Sequence, residues 1–309
     1  MQISSSHQHT LSQPAIFAGV GLHTGRHVRV AIRPAPAGHG VVFLRLDVDG
    51  DNVVPSHGEA VVQTQLGTVL GNAAGVTVST VEHLLAAMAA LCIDNALVEL
   101  DGPEVPIMDG SAEPFVALLD RAGRRRQEAT REYIEVLKPI DVVEGDKRAS
   151  LLPCDRFEVA FAIDFPTAAI GHQAVDLAVD EDSFREELAD CRTFGFLHEV
   201  EALRRMGLAR GGSLDNAVVI DGEIVLNPDG LRRPDEFVRH KALDLLGDLA
   251  LLGMPVEGHL VVERGGHALH QRFVRALLEH PSHWTIETET RPSRRAGSVR
   301  GAALARASV

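Results

Sequence analysis

The sequence predicts a mixed α+β protein made of two related α/β halves packed together, with a cleft between them. Three observations carry this reading. Short β-branched runs bounded by Gly and Pro alternate with amphipathic helical stretches along the chain. A charged stretch, residues 121–132, separates two parts of comparable length. A weak echo relates those parts: His83, near a helix start, leads to a strand ending Leu97-Val98-Glu99, and His240 leads through a similar helix to Leu260-Val261-Val262-Glu263. If the echo is real, both histidines face the cleft. Any two helix–turn–strand units share some likeness, so periodicity alone leaves kinship and chance equally open.

In the first half, Val28 to Ile32, Val41 to Leu46 and Val76 to Ser79 read as strands. Ser79 or Thr80 is placed to cap a helix running through Glu82, Leu85, Met88 and Leu91. Asp94-Asn95 turns the chain into a strand from Ala96 to Leu100, and a helix from Glu113 to Ala122 follows. The stretch Arg121 to Glu132 reads as a solvated linker. In the second half, Tyr133 to Leu137, Phe157 to Phe165, Ala217 to Ile220 and Leu260 to Glu263 read as strands, and Ser183 to Ala189, Pro234 to Leu252 and Leu269 to Glu279 as helices. This places a first domain at 1–127, a second at 128–287 and a tail at 288–309. From Arg291 onward the tail has five arginines, no acids and many small residues, a composition expected to stay unstructured.

Composition excludes several function classes. A formal net charge of -13 over 309 residues disfavours polyanion binding on a broad face, and 4% aromatics leaves few platforms for stacking bases. A small anionic substrate remains compatible, because a few local cations hold it. Cys92, Cys154 and Cys191 are few, odd in number and far apart, which fits a reducing cytoplasm rather than a disulfide framework. The N-terminus lacks a basic region followed by an apolar one, so no signal peptide is expected. The longest apolar run, Leu84 to Ile93, is about half of the ~20 residues a membrane helix needs. At most a peripheral membrane contact is expected, and a lipid-like substrate would be met from the membrane surface.

Four stretches hold residues suited to chemistry. His240 and Asp244 are one helical turn apart, about 6 Å along the axis, on one face. An imidazole and a carboxylate so spaced can reach one metal ion, although the spacing alone is weak evidence. Asp248 lies one turn further, placed to orient another polar group. In Ser79-Thr80-Val81-Glu82-His83, a Glu beside a His offers a base next to a ligand; a plain helix N-terminus with a dipole-favoured Glu explains it equally. Gly265-Gly266-His267 frees the backbone at a strand end, where sites often lie. Thr193 offers a hydroxyl amid Phe194, Phe196, Leu197, Leu203, Met206 and Leu208, an apolar cluster that reads either as core or as the lining of a greasy channel.

Taken together these blocks resemble one family in order and wording. Gly19 to Gly25, Ser79 to Leu84, Pro106 to Ser111, Arg192 to Phe196, Phe237 to Gly247 and Gly266 to Leu269 are similar to the UDP-3-O-acyl-N-acetylglucosamine deacetylases, over about Ile16 to Glu279. The resemblance implies two similar α/β sandwich domains with the active site in the cleft between them, and an insert in the second domain forming a hydrophobic acyl passage, which Phe194 to Leu208 matches. It implies Zn2+ held by His83, His240 and Asp244, although Fe2+ suits the same donors. Glu82 is then the general base, His267 the protonated group that stabilises the oxyanion or protonates the leaving amine, Asp248 its orienting partner and Thr193 an oxyanion donor. Lys241 is implied as a cation near the sugar diphosphate, and Phe165 and Phe194 as contacts to sugar and acyl chain. His23 is implied as a nucleotide-side contact, and Arg264 as a substrate-side cation.

The implied partner is a UDP-linked acylated amino sugar, with no nucleic acid, and the chain is expected to act as a monomer. The implied reaction is the deacetylation that commits the substrate to lipid A synthesis. Two departures stand out: Pro166-Thr167-Ala168-Ala169 replaces the His-Pro pair that many relatives carry after Asp164-Phe165, and Arg264 replaces a common lysine. The competing readings are a zinc amidohydrolase for another acetylated sugar, a zinc peptidase, disfavoured by the absence of His-Glu-x-x-His, and a nucleotide-sugar binding module with a structural zinc.

Overall fold

A computed structural model describes residues 6–288. The first half builds a five-stranded sheet in the order Ala15–Val20, His27–Pro34, Ala96–Leu100, Val41–Arg45, Val53–Pro55. The second half repeats the plan with Ile140–Glu144, Lys147–Leu152, Val256–Glu263, Phe157–Asp164 and His172–Ala178. In both, the central strand runs antiparallel to the hairpin on one side and parallel to the strand on the other. The echo in the sequence is therefore an echo in topology. The second sheet adds Tyr133–Val136, parallel to the start of the central strand, and Trp284–Glu287 outside it.

The burial patterns explain the layering. Ala96–Leu100 and Val256–Glu263 alternate between buried and partly buried positions, so each sheet puts one face into the core. Helix α1 (Glu82–Ala90) leads into the first of these strands, and α2 (Glu113–Ala122) covers the same half. Helix α3 (Glu181–Glu187) and α4 (Leu197–Arg205) follow in the second half. Helix α5 (Glu236–Leu249) leads into the second central strand, and α6 (His267–Glu279) packs on α5.

Helices α1 and α5 are buried almost all round, as expected of helices held between layers rather than on a surface. They pack on each other, and Gly247 marks their closest approach: a Cβ there would lie 2.0 Å from the carbonyl oxygen of Glu82. This contact brings the start of α1 against the last turn of α5.

Several expectations are corrected. The stretch expected to be a linker contains the strand Arg124–Thr130, paired antiparallel with His7–Leu11. Its side chains are mostly exposed, as the charges imply, but the backbone is laddered; Arg124 donates to the Leu91 carbonyl and to Glu181. The expected domain division at 127/128 falls inside this strand. Neither Ser79 nor Thr80 caps α1. The N-cap is Val81, and the Thr80 hydroxyl donates instead to the fully buried carboxylate of Glu104. The last helix starts at His267, two residues before the expected Leu269. The cluster after Thr193, read as core or as a channel lining, packs Phe194 and Phe196 half-buried against the core and lines a cavity with Leu197 and Leu203. It is a short strand, Phe194–Phe196, followed by α4, which buries no residue, and a small sheet with Val218–Asp221 and Ile224–Val225. The tail expectation lies outside the described residues, apart from position 288. Among the described residues no helix is long and apolar enough to cross a membrane.

Candidate active site

The packing of α1 on α5 brings His83 to His240 and Asp244. Nε2 of His83 lies 3.4 Å from Oδ1 of Asp244, and Nε2 of His240 lies 3.3 Å from the same oxygen. The imidazoles meet edge to face with centroids 4.9 Å apart. All three side chains are buried, and one donor atom from each falls within 4.8 Å of the others.

The surroundings leave these groups in states suited to holding a metal ion. Nδ1 of His240 donates to the Cys191 carbonyl at 3.1 Å, which leaves the Nε2 lone pair facing Asp244. Burial pushes His240 down to about 3, so the ring is neutral. Burial works against ionisation of Asp244, but His240 and Lys241 outweigh it and hold the carboxyl well below its usual range. Lys241 donates to the other Asp244 oxygen at 2.8 Å. Two imidazoles and one carboxylate, buried and convergent, are a donor set suited to a divalent cation with an open position.

Glu82 and His267 flank the trio. The Glu82 carboxylate accepts from the backbone N–H of Thr68 through Oε2 at 3.1 Å, and its Oε1 lies 3.8 Å from Nε2 of His267. Burial raises the Glu82 carboxyl, with His267 and His83 pulling the other way. His267 opens α6, where Gly265 and Gly266 release the backbone from the central strand. Its Nδ1 donates to Oδ2 of Asp248 at 2.8 Å. Burial opposes the charged ring, but Asp248, Glu82 and Asp244 prevail and lift it to about 9. Asp248 is correspondingly depressed: burial opposes its ionisation, and His267 and His270 more than compensate.

Two residues that sequence reasoning missed complete this cluster. The Thr68 hydroxyl donates to Oδ1 of Asp248 at 2.5 Å, and Nδ1 of His270 donates to Oδ2 at 2.8 Å. His270 left a signal, being one turn from His267 on the same helix face. Thr68 left none. Donor atoms of Asp248, His267 and His270 also converge, but both rings spend Nδ1 on the one carboxylate, which makes the group a hydrogen-bonded relay.

A cavity of about 530 Å³ opens from this centre, and its walls include Thr193, Phe165, Phe194, Leu203, Val219 and Leu226. Phe165 and Phe194 stack edge to face at 5.8 Å, and Phe194 reaches to 6.4 Å from the His240 ring, so the greasy wall abuts the trio that could hold a metal. Thr193 is fixed by its backbone, which donates to Gly110 and accepts from Val218, both at 2.8 Å. Gly110 has a φ of 87°, and a Cβ there would strike the Asn216 carbonyl at 2.2 Å, which explains a glycine in the Asp109-Gly110-Ser111 turn.

His23 and Lys241 line the same cavity. The loop bearing His23 is tied to Glu104, which accepts from the N–H groups of His23 and Thr24 at 2.8 Å. His23 Nε2 donates to the Leu66 carbonyl at 3.1 Å. Asp248 lies behind His267 rather than on the cavity wall, and Arg264 stands apart from the other expected residues. Arg264 does not line the cavity, and its side chain, 43% exposed, pairs through the guanidinium with Asp146 and Asp164. A second cavity of about 220 Å³, beside Leu85, Met88, Leu246 and Leu249, contains none of these groups.

The comparisons with known proteins agree with one another. The family profile of UDP-3-O-acyl N-acetylglycosamine deacetylase matches residues 8–279. A protein of Phenylobacterium zucineum, named UDP-3-O-acyl-N-acetylglucosamine deacetylase, is 65% identical over 91% of this chain and 96% of its own length. Similarly named proteins of Myxococcus xanthus and Syntrophotalea carbinolica are 53% and 48% identical, over 93% and 91% of this chain and 91% and 90% of their own lengths.

Proposed function

The chain belongs to the UDP-3-O-acyl N-acetylglycosamine deacetylase family, and from that membership and the geometry of its cleft we propose how its residues carry out the reaction. It is an amide hydrolase that removes the N-acetyl group from UDP-3-O-acyl-N-acetylglucosamine, a step the family places in lipid A synthesis. The observation that carries the mechanism is the convergence of His83, His240 and Asp244 between Glu82 and His267, at the inner end of an apolar cavity.

His83, His240 and Asp244 would hold a divalent cation, proposed as Zn2+ with Fe2+ also suited to these donors, and the bound ion would acidify water and polarise the amide carbonyl. Glu82 takes a proton from the attacking water through Oε1, the oxygen that Thr68 leaves uncommitted. The water oxygen bonds to the acetyl carbon, and Thr193 steadies the oxygen that gains charge. The carbon–nitrogen bond then breaks, and His267, held charged by Asp248, delivers a proton to the departing amine. Acetate and the free amine leave.

Lys241 serves twice, neutralising Asp244 and facing the sugar side of the cavity. Phe165 and Phe194 bind sugar and acyl chain, and the cavity beneath α4 takes the chain, each buried methylene contributing about 0.8 kcal/mol. His23 contacts the nucleotide side from the opposite rim. The protein is proposed to act as a cytoplasmic monomer with at most peripheral membrane contact.

The test is deacetylation of UDP-3-O-(3-hydroxyacyl)-N-acetylglucosamine by purified protein, after chelation and again after zinc is restored. Activity lost and regained is expected. Inactivity across several acyl lengths with the metal bound would overturn the substrate assignment.

A further inference from the structure

Thr68 touches both halves of the proton-handling machinery. Its backbone N–H donates to Oε2 of Glu82 at 3.1 Å, and its hydroxyl donates to Oδ1 of Asp248 at 2.5 Å. The same hydroxyl oxygen lies 3.2 Å from Nδ1 of His267 and accepts a longer share of the Nδ1–H that His267 donates to Asp248. The residue is 2% exposed and sits in a loop from the first half of the fold, while Asp248 and His267 come from the second.

We propose that Thr68 is a positioning residue for the deacetylation, a clamp that sets the general base and the Asp248–His267 pair relative to each other across the cleft. The proposal rests on the roles assigned above to Glu82 and His267. A carboxylate has two oxygens, and a base can use only one that faces the substrate. By occupying Oε2, Thr68 leaves Oε1 of Glu82 toward His267 and the cavity.

Asp248 is restrained from both ends. Oδ2 accepts from His267 and His270, and Oδ1 accepts from Thr68, so the carboxylate cannot turn about its last bond without breaking a contact. The His267 ring inherits that fixed orientation. The loop itself is held to this geometry: Leu66 has a φ of 62°, and a Cβ on Gly67 would lie 3.0 Å from Oε1 of Glu82. Thr68 is thus delivered by a backbone that leaves no room beside the base.

Thr68→Val keeps the shape and the N–H but removes the hydroxyl, whereas Thr68→Ser keeps the hydroxyl. Thr68→Val is expected to lower kcat by about 10- to 100-fold, as for outer partners of catalytic groups, with KM unchanged and Thr68→Ser close to wild type. In an Asp248→Asn background the Val substitution is expected to add little further loss. A second readout does not depend on turnover: the imidazole Nδ1–H proton of His267, followed by NMR in metal-free protein, is expected to shift in Thr68→Val and stay in Thr68→Ser. If Thr68→Val does not fold, Thr68→Ala takes its place in both measurements.

Unchanged kcat, a Ser variant as impaired as Val, losses that add in the double variant, or an unmoved His267 resonance would each overturn the clamp. A wild-type protein without deacetylase activity would instead count against the functional reading, and the NMR comparison would still decide the clamp.

Discussion

His267 and Asp248 belong to different helices, α6 and α5, yet are joined by a 2.8 Å hydrogen bond from Nδ1 to Oδ2. The bond links a ring lifted to about 9 with the anion that contributes most to the lift. The charged ring is therefore present below that value and is lost as pH rises through it. A divalent cation held by the proposed ligands would repel the ring's proton, so the alkaline limb of kcat/KM is expected at or below pH 9. Asp248→Asn removes the anion, and the limb should move to lower pH by about one to three units. Rate profiles of the two proteins check this; an unmoved limb would show that another group titrates.

Glu82→Gln keeps the size of the side chain and its acceptance from Thr68 but removes the base. Turnover is expected to fall by about 100- to 10,000-fold while metal content is retained. Elemental analysis beside the assay separates this from His83→Ala or Asp244→Ala, in which metal content itself should drop.

Gly247→Ala tests the helix contact on which the site depends. The added methyl would meet the Glu82 backbone at 2.0 Å, far inside contact distance. The expected cost is about 1–3 kcal/mol of stability, as for other overpacked cores, and activity should fall because Glu82 and His83 move with α1. Urea unfolding measures the first, the deacetylase assay the second.

Arg264 and Lys241 are both cations that the family resemblance assigns to substrate, but the structure separates them. Arg264→Ala should leave KM unchanged, since the side chain pairs with Asp146 and Asp164 outside the cavity. Lys241→Ala should raise KM and weaken metal retention, because Lys241 both faces the cavity and holds Asp244. Equal effects on KM would place Arg264 back at the substrate.

Chelation followed by refilling with Zn2+ or Fe2+ should restore activity with either ion, since two imidazoles and a carboxylate discriminate weakly between them. Recovery with neither would remove the trio as the metal site.

The sequence by itself determined the elements with strong periodicity. Ala96–Leu100, Glu113–Ala122 and the helix holding His240 were legible because their apolar positions repeat with one period. It also determined His240, Asp244 and Asp248 as one helix face, because a helical turn turns spacing into geometry. The charged strand Arg124–Thr130 was not legible, since its pairing with His7–Leu11 lies in the backbone and its side chains point to water. Thr68 was invisible for a related reason: it lies 180 residues from the Asp248 carboxylate that accepts its hydroxyl hydrogen bond, and a single Thr carries no period. Only the tertiary structure decided which distant groups share a proton or an ion. A buried polar atom must find its partner wherever packing puts one, and here packing is set by α1 meeting α5 at Gly247.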